Sequence, residues 1–273
     1  MRPRLAALAA AVLLAGCSMI PAYERPAAPV APAWAGTPGT AAAQPAADIE
    51  WQSYFNDAQL RQLITLALQG NRDLRVAALN IEQARAQYQV RGADRFPTVN
   101  AAVTGSRTTN AAGGITSAYN AGFTVSAWEI DFFGRLASLK EAALAQYLAT
   151  EEARKAVQIS LVAAVATGYL NLLADEELLA ITRQTLATRE ESLRLSKLRF
   201  DSGATSELDY RQAQSLAEAA RVALAQQQRQ RALDENALVL LLGQPLPAGF
   251  ALTGNTAALT LPELPAGLPS ELL

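Results

Sequence analysis

No proline occurs between Pro97 and Pro245, and helical periodicity dominates this stretch. Its longest helical run is 135–200, in which Gly168 is the only residue that favours a break. At a rise of 1.5 Å per residue, this run predicts a helix about 100 Å long. A helix of this length does not fit within a globular core, whereas a long tube or coiled coil requires one. We therefore expect a mainly α-helical fold.

Two shorter helices are predicted on either side of this one, at 71–95 and 206–242, with lengths of about 37 and 55 Å. Their combined length nearly equals that of the long helix, so it can lie beside the two shorter helices stacked end to end. Ser206 and Asp209 fit a capping box at the start of the later helix. A further short helix is expected at 57–69.

Between the helices, the period of the apolar residues changes to two. Residues 98–108 and 119–130 alternate between apolar and polar side chains, and a polar, glycine-containing loop separates them. Their lengths suit the roughly 9–11 residues of a tilted membrane β-strand. A half-buried hairpin of a soluble protein has the same pattern, but the neighbouring long helices favour a membrane β-hairpin.

The first residues read as a processing signal. Arg2 and Arg4 precede an apolar run that ends in Leu14-Ala15-Gly16-Cys17, which resembles the bacterial lipobox. We predict a lipoprotein signal peptide over 1–16, a covalent lipid on Cys17, and a Pro/Ala-rich tether over 17–50. Ser18 after the cysteine points to the outer membrane, and an ordinary signal peptide is the alternative.

Composition argues against most other classes of function. The chain has no histidine and one cysteine, which removes the commonest general base and any Cys-rich zinc site. A net charge of -2 offers no basic face for nucleic acid. We expect neither an enzyme nor a bound metal, and no cofactor besides the lipid.

Several blocks carry a family resemblance: SAWEIDFFGR at 126–135, LRFDSGATSELDYRQAQ at 198–214, Phe96-Pro97, and the lipobox. Together they resemble the TolC-like outer membrane factors, in the lipidated NodT and OprM branch. The resemblance implies a trimer that shares a β-barrel and a long α-helical barrel, each protomer being two tandem repeats. Residues 51–243 would be the first repeat, and 244–273 a connection toward an absent second one.

The single repeat leaves two interpretations open, a truncated gene product or a single-repeat protein that closes its ring as a hexamer. On the first interpretation, we expect the chain alone to form no working pore. Gate residues and the exported substrate cannot be assigned.

The resemblance implies a passive outer-membrane export channel that docks on a periplasmic membrane fusion (adaptor) protein and works with an inner-membrane efflux pump. Type I secretion, a periplasmic coiled-coil adaptor and a structural lipoprotein are the alternatives. Docking is expected at the helical tip, through Arg199, Gly203, Thr205, Ser206 and Asp209. A strand–helix junction is expected at Trp128, Glu129, Asp131, Phe132, Phe133, Gly134 and Arg135, where Glu129, Asp131 and Arg135 would pair to fix the bend.

Overall fold

The computed structural model describes residues 23–24, 26, 49–109, 111–125, 128–252, 256 and 262. Cys17, the predicted signal peptide and most of the predicted tether lie outside the described residues. The elements are α1 (Trp51–Tyr54), α2 (Ala58–Gly70), α3 (Arg72–Ala93), β1 (Val99–Thr109), β2 (Ile115–Val125), α4 (Arg135–Asp201) and α5 (Glu207–Leu242). The predicted fold class, mainly α with one β-hairpin, is confirmed.

The described residues fall into two compact units, one containing Ala77–Arg154 and the other containing residues 49–76 and 155–252. The second unit holds the hydrophobic core. In α2, apolar residues at helical spacing form one buried stripe, which packs with the middle of α4 and the end of α5. The fully buried members include Leu60, Leu63, Ile64, Val165, Tyr169, Leu172 and Leu238.

Tyr169 places one polar group in this core. Its hydroxyl lies 3.3 Å from Oδ1 of Asp57, which also accepts the backbone N–H of Leu60 and so caps α2. Burial, and then the neighbouring Asp57, raise the pKa of Tyr169 to about 12. The predicted connection after Gly243 begins by packing on the same core, through Leu246, Phe250 and Leu252.

The end of α5 meets the start of α3 at two glycines. A Cβ on Gly243 would lie 2.2 Å from the carbonyl oxygen of Gly70, and a Cβ on Gly70 would lie 2.4 Å from the carbonyl oxygen of Leu242. The buried Asn71 links the two helices. Its Nδ2 donates to the carbonyl of Leu241 at 2.9 Å, and its Oδ1 caps α3 by accepting the backbone N–H of Leu74 at 2.8 Å. The end of α5 is therefore in direct contact with the residues at which α3 begins.

In the first unit, β1 pairs with β2 in an antiparallel hairpin, with Val99 opposite Val125 and Thr109 opposite Ile115. The predicted second strand, 119–130, is wrong at both ends. It begins at Ile115, because ladder pairing with β1 continues through residues that we assigned to a polar loop. It ends at Val125, and residues 128–130 are not in a strand.

Two further features were not predicted. The four residues of α1 are too few to show a helical period. Helix α4 contains an 18-residue window with a mean hydropathy of 1.6, long and apolar enough by composition to cross a bilayer, of which 33% is buried. Core helices of soluble proteins meet the same criterion, so one such window is weak evidence for a transmembrane helix.

Candidate functional site

The turn between α4 and α5 brings together the predicted tip residues. The backbone N–H of Ala204 donates to the carbonyl of Arg199 at 2.7 Å, and Gly203 has a φ of 75°. This is the left-handed helix ending that glycine favours. A Cβ at Gly203 would meet no atom within 4 Å, so the outer side of the turn is open.

Helix α5 begins with a complete capping box. Asp209 donates its backbone N–H to the Ser206 hydroxyl at 3.2 Å, while its carboxylate accepts the backbone N–H of Ser206 at 3.3 Å. The Thr205 hydroxyl donates to the same carboxylate at 2.8 Å. The hydroxyl of Ser206, followed by that of Thr205, holds the pKa of Asp209 below its ordinary value. Three of the five predicted tip residues thus form one network.

Arg199 differs from the other tip residues. It contributes its backbone carbonyl to the turn, whereas its side chain is exposed and has no ion pair with any other residue that the structure describes. The guanidinium therefore remains available for a partner's acceptor groups.

Sequence reasoning missed an aromatic pair beneath the turn. The rings of Phe200 and Tyr210 stack with centroids 5.5 Å apart and an interplanar angle of 8°. Two cations lie over the Tyr210 ring, Lys197 at 6.0 Å and Arg211 at 5.4 Å. The two aromatic residues are on different helices, and only the return of the chain through the turn reveals the pair.

The strand–helix junction contains the predicted pair of Glu129 with Arg135, but Asp131 makes a contact that was not predicted. Arg135 forms a bidentate pair with Glu129, with Nε to Oε1 at 2.9 Å, and this bond lowers the pKa of Glu129. Asp131 was expected to pair with Arg135, and this is wrong. Its Oδ2 accepts the backbone N–H of Ala137 at 2.9 Å, because the first amides of α4 have no partner within the helix. That bond is the main reason for the lowered pKa of Asp131.

The aromatic residues of the junction are exposed. Phe132 and Phe133 expose 76% and 83% of their surface, while Trp128 donates its indole N–H to the carbonyl of Arg95 at 3.2 Å. Gly134 has a φ of 73°, which suits the sharp change of direction before α4. The junction is therefore held by hydrogen bonds, and the rings of Phe132 and Phe133 beside them are exposed.

The register of the hairpin assigns its two faces. Cross-strand partners share a face. Val103 pairs with Ala121 and Ala101 with Phe123 on a mainly apolar face, which carries Arg107, Thr109 and Ser117 near the loop. The other face carries polar or small residues at Asn100, Ala102, Thr104, Ser106, Thr108, Thr116, Ala118, Asn120, Gly122 and Thr124. Every residue of both strands is exposed on both faces. Neither face is covered by the described part of the chain.

A profile of the outer membrane efflux protein family matches residues 63–244, which include both strands and the turn between α4 and α5. The chain belongs to this family. Among its members, TtgC of Pseudomonas putida, named a probable efflux pump outer membrane protein, is 46% identical over 96% of this chain. Outer membrane protein OprJ of Pseudomonas aeruginosa is 43% identical over 98% of it.

A solved structure has the same fold. The MtrE outer membrane channel of Neisseria gonorrhoeae, in its open state, superposes with a TM-score of 0.68 at 35% identity, covering 93% of this chain. The chain spans 57% of the length of TtgC and of OprJ, and 54% of the MtrE chain. Membership of the outer membrane efflux proteins confirms the predicted family, the outer-membrane-factor fold and the outer-membrane location.

Proposed function

We propose that this protein is an outer-membrane channel subunit of a tripartite efflux system, through which substrates leave passively and without catalysis. The hairpin carries this proposal. Its two 11-residue strands match the length of a membrane β-strand. One face is polar or small, and the other is apolar except near the loop, where it carries Arg107, Thr109 and Ser117. Such strands suit a barrel whose apolar face contacts lipid and whose polar face lines water.

Charge along the hairpin agrees with this orientation. Arg107 is the only charged residue of the two strands, and it lies near the loop at 111–114, opposite Ser117. A charge at the bilayer midplane costs roughly 2–4 kcal/mol, but much less near an interface. The hairpin therefore inserts with Arg107 at the membrane surface on the side of the loop.

At the other end of α4, the turn around Gly203 is the docking site for a periplasmic adaptor protein. Three observations support this role: the outer side of the turn is open, the Arg199 side chain is unpaired within the described residues, and the capping box fixes the backbone. A rigid turn loses little conformational entropy when a partner packs on it. In the complete assembly, three subunits, the adaptor and an inner-membrane pump form the export path.

A photo-crosslinking residue in place of Ala204 tests docking, and the same residue in place of Ala180 is the control, since both alanines are exposed. In cells that contain the adaptor, we expect an adduct from position 204 and none from position 180. An outer-membrane chain that gives no adduct at 204, or equal adducts at both positions, contradicts docking at this turn.

Export is tested in a strain that has the adaptor and pump but lacks its own outer membrane efflux protein. Expression of the gene's full reading frame is expected to restore export of a fluorescent dye. The control carries Val103→Asp, which places a charge on the apolar face and should abolish restoration. Equal dye retention with and without the gene contradicts the channel function.

The lipid on Cys17 is part of the same proposal, because Leu14 to Gly16 precede it as a lipobox would. Several acyl chains anchor a protein firmly, each buried CH2 contributing about 0.8 kcal/mol. Labelled palmitate should enter the wild-type chain and be absent from Cys17→Ser. Equal labelling of the two would exclude this anchor.

A further inference from the structure

A buried carboxyl group lies between α4 and α5, and only one of its two oxygens has a hydrogen-bond partner among the described residues. Asp175 on α4 is 6% exposed, and its Oδ1 accepts Nε2 of Gln227 on α5 at 2.9 Å. Its Oδ2 is buried and has no partner among the described residues. An ionised carboxylate oxygen left in this position is costly, so the site needs a proton or a donor.

The group that faces Asp175 from α5 is another acid. Asp234 follows Gln227 by two helical turns and so lies on the same face of α5, where its carboxyl interacts with Asp175. Its Oδ2 accepts Nε2 of Gln230 at 3.0 Å. Two ionised carboxylates only accept hydrogen bonds and repel each other. When one of them takes up a proton, its O–H becomes the donor that the pair lacks.

The surrounding charges do not supply this donor. Arg231 of α5 is the nearby cation, but it already pairs with Glu176 of α4 at 2.6 Å and Glu235 of α5 at 2.8 Å. Glu177 accepts hydrogen bonds from Thr256. The segment 244–252, which packs on the same part of the core, carries no titratable side chain. The Arg231 guanidinium therefore already has two carboxylate partners, Glu176 and Glu235, besides its charge interaction with Asp175.

We propose that Asp175 and Asp234 form a proton-binding pair that shares one proton and clasps α4 to α5. The proton comes from solvent and resides on Oδ2 of Asp175, which then donates to the Asp234 carboxylate. The clasp is closed when the proton is bound. When the proton dissociates, two like charges remain between the helices. The packing of α4 against α5 thus responds to the pH of the surrounding medium.

The sign of the pH dependence follows from the direction of the shift. Burial, followed by the hydrogen bond with Asp234, raises the pKa of Asp175. A carboxyl group with a raised pKa in the folded state contributes stability at low pH, and this stability is lost as the pH rises through the raised value. Carboxyl groups with lowered pKa values, such as Asp209, have the opposite dependence.

Infrared titration of the purified full chain in detergent tests the clasp directly. In the wild type, we expect a protonated-carboxyl C=O band that persists to a higher pH than the bands of exposed acids. Asp175→Asn should lack this band, and Asp234→Asn should lose it at lower pH. Glu190→Gln is the matched control, because Glu190 also links α4 to α5, through Arg221 at 3.0 Å, but is exposed.

The absence of a persistent band in the wild type overturns the proposal, as does a band that Asp175→Asn leaves in place. If Asp175→Asn does not fold, the comparison of the wild type with Asp234→Asn decides, and identical titrations overturn the pair.

Thermal unfolding gives a second readout. An Asn at position 175 donates permanently to Asp234, so it should remove the pH dependence that the clasp contributes. Between about pH 5 and about pH 8, the Tm of the wild type should fall by roughly 2–4 °C relative to Asp175→Asn. Parallel Tm curves for these two proteins would contradict the clasp.

Discussion

Helix α5 begins after one glycine turn and ends in another, and the two turns have different surroundings. Gly203 and Gly243 have nearly the same φ, 75° and 69°. Around Gly203 a Cβ would meet nothing within 4 Å, whereas at Gly243 it would lie 2.2 Å from a backbone oxygen of Gly70. The same backbone conformation therefore serves two purposes. The filled turn holds the chain's own helices together, and in the proposed function the open turn offers a surface to a partner.

Among the substitutions that distinguish the two turns, Gly243→Ala should lower the free energy of unfolding most. A methyl group there is strained by the positive φ and overlaps backbone atoms rather than the end of a flexible side chain. The backbone strain and the steric overlap together should lower the free energy of unfolding by about 3 kcal/mol. Chemical denaturation followed by circular dichroism measures it. A loss no greater than that of Gly203→Ala would contradict the distinction.

Asn71→Ala tests the filled turn without changing either glycine. It removes the cap of α3 and leaves the buried carbonyl of Leu241 without its side-chain donor. We expect a loss of about 2 kcal/mol. Thr65→Ala is the control, because its exposed hydroxyl bonds only within α2, to the carbonyl of Arg61. Equal stabilities of the two variants would show that Asn71 does not link α5 to α3.

Gly203→Ala should lower the stability by about 1 kcal/mol, the cost of the left-handed conformation alone. Its larger consequence is expected in docking, where a methyl group projects into the space that a partner would occupy. Adaptor binding should therefore weaken more for this variant than for Gly243→Ala, after correction for the folded fraction. The reverse order would assign docking to another surface.

Ser206→Ala should have the smallest effect on stability, because it removes one hydroxyl of an exposed cap and costs roughly 0.5–1 kcal/mol. It also removes the main cause of the lowered pKa of Asp209. The wild-type cap stabilises above the ordinary pKa of an aspartate and is lost as the pH falls through the lowered value. The stability difference between wild type and Ser206→Ala should therefore shrink in strong acid. Unfolding at successive pH values checks this.

Local signals were enough to predict the four longer helices and the turn between α4 and α5. The absence of proline, the periodic apolar residues and the Ser206–Asp209 spacing each depend on residues close together in sequence. The second strand was misplaced because Thr116 and Ser117 are polar, and only pairing with Thr108 and Arg107 reveals them as strand residues. Strand ends depend on the partner strand, which a local pattern does not contain.

Contacts between distant residues were beyond sequence reasoning. The adjacent acidic residues Glu176 and Glu177 have the spacing of an ordinary solvated helix face, yet Glu176 pairs with Arg231 and Glu177 accepts hydrogen bonds from Thr256. The Asp175–Asp234 pair likewise joins two helices. Nothing in the spacing of either helix indicates which acid faces the other, since that depends on how the two helices pack.

Cysteine labelling of the hairpin tests membrane insertion most directly. Val103→Cys lies on the apolar face and Thr104→Cys on the polar face of the same strand. The wild type, whose single cysteine is Cys17, is the control. In outer membranes, a hydrophilic maleimide should label Thr104→Cys and leave Val103→Cys unlabelled, because lipid covers one face and water the other. Equal labelling of both cysteines, or preferential labelling of Val103→Cys, would contradict a membrane-spanning hairpin with a wet inner face.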